Sequence, residues 1–351
     1  MAETPASNPI KLYASVSPHV RDVLDLRRVM WSVNLALVPA SIAAVYYFRG
    51  PALTHIICCI LACVVTEALI QKFTRRPVTV SDGSAVITGL LLALNLPPEV
   101  PYWMGIFGGF FAIAVAKHCF GGLGYNIFNP ALAARAFLLI AFAQDMSTGW
   151  AQPGMQSAFM NGGLSDVDAL SGATALDALK QLSRGGAEVS INWPVIKNLF
   201  VGKTGGCLGE TSALFLLLGA AFLFWKRVLT WHIPFSYCAT VFVLGVIQGW
   251  STGAGWIAGV FHLMAGGLII GAFYMATDMV TSPVSRSGRI IFGVGCGVLT
   301  MLIRIFGGYP EGVSFAILLM NCTTPLLDRY MKAKPFGTKT LKQARAGSRS
   351  K

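Results

Sequence analysis

Charge is what this sequence has least of. Only 12% of its 351 residues are Asp, Glu, Lys or Arg, about half the share of a soluble domain. With hydrophobic residues at 54%, that shortage excludes an ordinary water-soluble fold and points to a chain solvated by lipid. Paired cysteines are lacking as well. Cys58, Cys59, Cys63, Cys119, Cys207, Cys238, Cys296 and Cys322 include no CxxC, and most lie in apolar stretches. No disulfide framework, zinc site or iron–sulfur centre is therefore expected. Residues 1–29 mix Asp, Lys and Arg without a continuous apolar core, so no cleaved signal peptide is expected. The net charge of +12 is not a nucleic-acid patch. The basic residues fall between apolar runs and in the tail, as topology signals do.

What is present is a series of apolar runs, at about 30–48, 53–70, 84–96, 103–116, 131–143, 211–225, 233–250, 257–276, 290–306 and 314–327. They predict an all-α integral membrane protein with ten transmembrane segments. Several, such as SAVITGLLLALNLP, are shorter than the ~20 residues a spanning helix needs, and must be tilted, broken or re-entrant. Basic clusters set the orientation: Arg21, Arg27 and Arg28 before the first span, Lys72, Arg75 and Arg76 after the second, and Lys117 after the fourth. Lys226 and Arg227 follow the sixth, Arg286 and Arg289 the eighth, and Arg329, Lys332 and Lys334 the tenth. With a cytoplasmic N-terminus and ten spans, every cluster falls on the cytoplasmic side. The expected organisation is a cytoplasmic segment 1–29, a membrane half 30–143, a periplasmic loop 144–210, a second half 211–327 and a basic cytoplasmic tail 328–351, in a bacterial inner membrane. Five spans on each side of the loop make any internal repeat an inverted one.

Two polar interruptions stand out. GYNIFNPALAAR precedes span five and ATDMVTSPVSRSGR precedes span nine, each with a Pro (Pro130, Pro283) followed by an Arg (Arg135, Arg286). They read either as ordinary Pro-containing loops or as paired helix breaks lining a polar site. Ionisable residues in spans are costly and mark candidate ion paths. Asp278, followed by Thr281 and Ser282, is the leading candidate for an ion or flavin contact, with Glu67 and Asp82 next. Glu210 reads as a helix N-terminal acid, Arg304 as a snorkelling side chain, Arg135 as a partner for a helix break, and His262 as a packed, hydrogen-bonded histidine. FGGLGYN follows a span and not a strand, so it is no nucleotide loop; close helix packing is the expected role of its glycines.

Within the periplasmic loop lies the hydrophilic stretch DALSGATALDALKQL. Residues 172–182 have helical spacing, with Leu176, Leu179 and Leu182 on one face. Thr174 would then sit in the first turn, where free N–H groups and the helix dipole favour a phosphate. Asp168, Ser171, Gly172, Ala173 and Thr174 resemble the flavinylation motif, at whose final Thr or Ser a flavin transferase attaches FMN through its phosphate. The same residues also read as a Ser/Gly-rich helix cap without a cofactor.

The wider chain resembles the RnfD/NqrB family, membrane subunits of the Rnf electron-transport complex and of the sodium-translocating NADH:quinone oxidoreductase. The likeness is carried by SPHV at 17–20, DGSAVITGLLLALNLP at 82–97 and GGLGYNIFNPALAARAF at 121–137. It continues through SGAT at 171–174, GETSAL at 209–214, ATDMVTSP at 276–283 and GGYPEGVSFAILLMN at 307–321. The short N-terminal segment favours the Rnf branch. The resemblance implies ten helices in two inverted five-helix halves, as in urea transporters. It also implies FMN on Thr174, which would make the chain a flavoprotein and a phosphoprotein, and a non-covalent riboflavin near the cytoplasmic side. The implied activity is that of one member of a translocase, with little activity alone, coupling electron flow between ferredoxin and NAD to Na⁺ or H⁺ movement. The partners would be the A, B, C, E and G subunits, with G beside Thr174. The alternative of a different class is a urea-type channel or solute carrier without a redox role.

Overall fold

Apolar runs bounded by charge become helices that bury one stripe and leave the other to lipid. The computed structural model of the chain describes residues 25–148, 193–202, 206–210, 212–251, 253, 255–307 and 312–331, and no strand occurs among them. The helices are α1 Leu26–Phe48, α2 Gly50–Phe73, α3 Ser84–Leu94, α4 Tyr102–Phe111, α5 Pro130–Ala141, α6 Ala143–Thr148 and α7 Trp193–Val201. They continue as α8 Ala213–Trp225, α9 His232–Ser251, α10 Trp256–Met264, α11 Leu268–Ile270, α12 Arg286–Phe306 and α13 Val313–Tyr330. A π-helical stretch, Ala112–His118, prolongs α4, and another, Gly271–Met275, prolongs α11. Each of the ten apolar runs lies on helix. Among the described residues four helices, α1, α2, α9 and α12, are long and apolar enough to cross a membrane. The count is five if α10 and α11, bent by 68°, form one span. The described residues are thus helical without strands, and the chain is a multi-pass membrane protein.

Its surface agrees. Leu35, Ile42, Leu61, Leu69, Val243, Ile247 and Leu319 are exposed in mid-helix, a patchwork that water would penalise and lipid does not. Exposed aromatics cluster at helix ends: Tyr46, Trp103, Trp250 and Trp256 at one end, Phe73, Trp225, Trp231 and Tyr330 at the other. Such belts sit at the two membrane–water interfaces.

Small residues set the helix contacts. α2 packs on α3 and α4, as α9 packs on α10 and α12. A Cβ on Gly105 or Gly109 of α4 would press on Cys59 and Cys63 of α2; one on Gly293 or Gly297 of α12 would press on Ser236 and Thr240 of α9. Glycines four apart let the backbones approach closely, the usual device where lipid removes the hydrophobic drive between helices.

Two helices are too short to cross a membrane. α3 and α10 have 11 and 9 residues, so they reach about 16 and 13 Å, roughly half of a ~30 Å hydrocarbon core. Gly266 and Gly267, both at positive φ, break α10 from α11. The glycines of FGGLGYN play a different part from the helix packing expected of them. Gly121, Gly122 and Gly124 all have positive φ in the turn that follows the first π stretch, where the Gly122 N–H donates to the Lys117 carbonyl. They let the chain reverse.

Candidate functional site

The two polar interruptions meet. Asn129 caps α5, its Oδ1 accepting from the N–H groups of Ala131 (3.1 Å) and Leu132 (3.5 Å), while its Nδ2 donates to the Met275 carbonyl at 3.3 Å. One asparagine therefore starts α5 and ties it to the end of the second π stretch. Between the interruptions lies a cavity of about 100 Å³, walled by Val33, Ile87, Leu91, Phe273 and Tyr274 and rimmed by Lys117, Asn126, Asn129, Thr277 and Asp278. Both interruptions line this cavity, the first through Asn126, Asn129 and Pro130 and the second through Thr277, Asp278 and Val280.

Asp278 lines the cavity as the sequence suggested. Its carboxylate accepts from the Val280 N–H and the Thr281 hydroxyl, both at 3.4 Å. Glu67 and Asp82 stand one link behind the wall, on either side of Lys117. The Lys117 ammonium spends its three donors on Glu67 Oε1, Glu67 Oε2 and Ser84 Oγ, each at 2.8 Å. Ser84 then donates to Asp82 Oδ1 at 2.7 Å, and Asp82 also accepts the Ser84 N–H, holding the start of α3. Gln71 joins Glu67 to Thr79. Lys117 and Glu67 are 2% and 1% exposed. The sequence marks Lys117 only as a topology charge after the fourth span; the fold makes it a buried, fully bonded member of the cavity wall.

A second polar centre lies at the ends of α3 and α10. Arg135 donates to Asn95 Oδ1 at 2.8 Å, to Ser314 Oγ at 3.3 Å and to Cys207 Sγ at 3.2 Å. Arg304 does not snorkel. It is buried and donates to the carbonyls of His262, Ala265 and Gly266 at 2.7, 2.8 and 3.2 Å. Glu210 lies against Gly267, where a Cβ would come within 2.6 Å of its Oε1. It is thus a half-buried residue with one buried carboxylate oxygen, packed at the α10–α11 break, as well as a residue ahead of α8. His262 is packed at 1% exposure, with both ring nitrogens lacking a hydrogen-bond partner. Asp168, Ser171, Gly172, Ala173 and Thr174 lie outside the described residues. Among the described residues no group of three or more His, Cys, Asp or Glu is placed to hold a metal ion.

Residues 13–337 match the NQR2, RnfD, RnfE family. The chain belongs to that family. It is 43% identical over 342 residues to the D subunit of the Na⁺-translocating ferredoxin:NAD⁺ oxidoreductase complex of Acetobacterium woodii, covering 97% of this chain and 100% of that one. It is 46% identical over 331 residues to the D subunit of the proton-translocating complex of Clostridium ljungdahlii, covering 93% and 96%. With the D subunit of the ion-translocating oxidoreductase complex of Escherichia coli O9:H4 (strain HS) it shares 36% over 347 residues, covering 92% and 97%. Two relatives of similar identity are thus named for different ions, so overall similarity does not assign the ion.

Proposed function

We propose that this chain is the D subunit of an Rnf-type complex in a bacterial inner membrane, where electron flow between ferredoxin and NAD drives Na⁺ or H⁺ translocation. What carries the reading is likeness along nearly the full length to relatives named for that complex. The chain makes ten spans, with both termini cytoplasmic and residues 144–210 in the periplasm. Two inverted halves of five spans accord with the matching glycine pairs, Gly105 and Gly109 against Gly293 and Gly297. The A, B, C, E and G subunits complete the assembly, and a flavin transferase esterifies FMN to Thr174, beside the G subunit.

The cavity between the helix breaks, at about 100 Å³, would seat an edge of the second, non-covalent flavin, riboflavin, with the rest of the molecule outside it. Its residues suit such a ring system: apolar walls from Ile87, Leu91 and Phe273, a polar rim, and a buried Asn126 Oδ1 that has no hydrogen-bond partner. Bound flavin supplies one- and two-electron transfer. Asn126 and Asn129 would hold and orient it, Lys117 and Asp278 would set the local charge, and the apolar walls would exclude water. Asp278 and the Glu67–Lys117–Asp82 chain bring the carboxylates nearest to it.

In-gel fluorescence of the denatured chain and mass spectrometry of its digest test the covalent flavin. Phosphoester-linked FMN is expected on the peptide containing Thr174, and Thr174→Ala should abolish the fluorescent band while the protein is still made. A band of undiminished fluorescence in Thr174→Ala refutes the assignment. The second flavin is read from the acid-extractable fraction of the assembled complex, which Asn126→Leu should deplete without touching the covalent band.

A further inference from the structure

A continuous hydrogen-bonded chain runs from the surface to the cavity. It begins at Asp82, half-buried in the turn before α3, with exposed Thr79 and Ser81 beside it. Gln71 bonds Thr79 twice, which sets this turn at the end of the bundle that carries Lys72, Arg75 and Arg76. Asp82 Oδ1 accepts the Ser84 hydroxyl at 2.7 Å, and Ser84 Oγ accepts from Lys117 Nζ at 2.8 Å. Ser84 and Lys117 both line the cavity. Glu67 ends the chain behind Lys117, each of its oxygens 2.8 Å from the ammonium. Every link is within the reach that proton transfer needs.

Structure alone does not call for the whole chain. Asp82 holds the start of α3 by accepting the Ser84 N–H, and Lys117 balances Glu67. The Ser84 hydroxyl adds something else: as donor and acceptor at once, it joins a surface acid to a buried ion pair. That pair is neutral. A further proton on Glu67 leaves the wall with one positive charge, which is costly in a poorly solvated interior unless a negative charge arrives beside it. The cavity is the place for such a charge. Asn126, 6% exposed on its rim, has an Oδ1 without a hydrogen-bond partner, the mark of a polar ligand to be met there.

We propose that Asp82, Ser84, Lys117 and Glu67 are a proton relay, which loads one proton from water at this end of the bundle onto Glu67 when an electron enters the cavity. The proposal rests on the reading of the cavity as a flavin's seat. Lys117 gives an N–H proton to Glu67, breaking N–H and forming O–H. Ser84, turned to Lys117, gives its hydroxyl proton to the freed nitrogen and takes one from Asp82, which takes one from water. One proton enters with one electron, and the wall is left with the Lys117 ammonium beside a neutral acid. Other ionisable groups face the pair. His118 Nε2 lies 3.9 Å from Glu67 Oε1, with Arg76 in electrostatic reach of His118. Cys63 is within reach of both partners, and Asp278 of Lys117. Asp278 is the rival carboxylate for the proton.

Redox-difference infrared spectroscopy of the complete complex reads the proton directly. A carboxylic C=O band should rise as the flavin is reduced, shift in heavy water, move in Glu67→Asp and vanish in Glu67→Gln. Ser84→Ala leaves the ion pair in place and, after flash photoreduction, should slow the rise of the band about tenfold or more. A complex that holds acid-extractable flavin but shows no band overturns the relay. So does a band that survives Glu67→Gln and vanishes in Asp278→Asn, and so does a Ser84→Ala complex that loads as fast as the parent. Where the glutamine variant fails to assemble, Glu67→Asp decides, and an unmoved band overturns the relay. A complex without acid-extractable flavin overturns the reading beneath the relay and the relay with it, so flavin content tells the two failures apart.

Discussion

Lys117 and Arg304 stand at similar distances along the chain from two glycine contacts, Gly109 against α2 and Gly297 against α9, and bond to different kinds of partner. Lys117 comes eight residues after Gly109 and Arg304 seven after Gly297; the π-helical stretch in α4 absorbs the extra residue. The helices they pack against also run in register. His55, Cys59, Cys63, Glu67 and Gln71 of α2 stand at the spacing of His232, Ser236, Thr240, Leu244 and Gln248 of α9. The decisive difference is the fourth pair. Where α2 offers Glu67, α9 offers Leu244. Lys117 therefore forms a neutral pair at the cavity, and Arg304, facing no carboxylate on α9, turns to the carbonyls of a broken helix. Residue type follows partner. A compact ammonium suits one carboxylate and one hydroxyl, and a planar fork suits several carbonyls in a row.

The largest effect should come from breaking the neutral pair. Lys117→Met strands a buried carboxylate, and removing one partner of a buried ion pair costs about 3–5 kcal/mol. Thermal unfolding of the purified complex in detergent, followed by loss of the monodisperse peak, measures it. Adding Glu67→Leu copies the second half and should recover most of the loss. If the double variant is as unstable as the single one, charge pairing is not what separates the halves.

Much of this is legible in the sequence, for physical reasons. Long apolar runs fix helices, and Pro130 and Pro283 with their polar neighbours mark breaks, because helices cannot continue through them in lipid without compensation. Asp278 is visible because an acid beside such a break is expensive unless used. Lys117 is not. A lysine at a helix end reads as a snorkelling flank, and only the fold reveals that the helix end faces inward onto Glu67. A signal is present all the same: the four-residue ladder from His55 to Gln71, and its echo from His232 to Gln248, place Glu67 on the packed face of α2. The two breaks are legible as a pair because each gathers polar residues around a proline, and both line the cavity. The carbonyl ligands of Arg304 have no side-chain signature at all.

A smaller effect is expected at the other member of the comparison. Arg304→Lys keeps the charge and loses the fork, so at least one of the carbonyls of His262, Ala265 and Gly266 goes unpaired. A buried polar group left unsatisfied costs about 1–3 kcal/mol, and the same thermal measurement should place this variant between the parent and Lys117→Met. A loss as large as that of Lys117→Met would mean that the carbonyls depend on Arg304 as fully as Glu67 depends on Lys117.

The smallest effect discriminates between the two glycine contacts. On Gly297 a Cβ would lie 2.6 Å from Thr240 Cβ and 2.9 Å from its Cγ2; on Gly109 it would lie 3.0 Å from Ala62 Cβ and 3.3 Å from Cys63 Sγ. Threonine is branched at Cβ and stiff, so the α9–α12 contact cannot yield without moving backbone, whereas α2 and α4 need to give by only a few tenths of an ångström. Alanine in place of glycine also gains about 1 kcal/mol of helix propensity at either site. Overpacking costs typically about 1–3 kcal/mol, so Gly297→Ala should be a net loss of about 1 kcal/mol and Gly109→Ala close to neutral. Equal losses at the two sites would mean that the halves are packed alike, and that their difference lies wholly in the partners of Lys117 and Arg304.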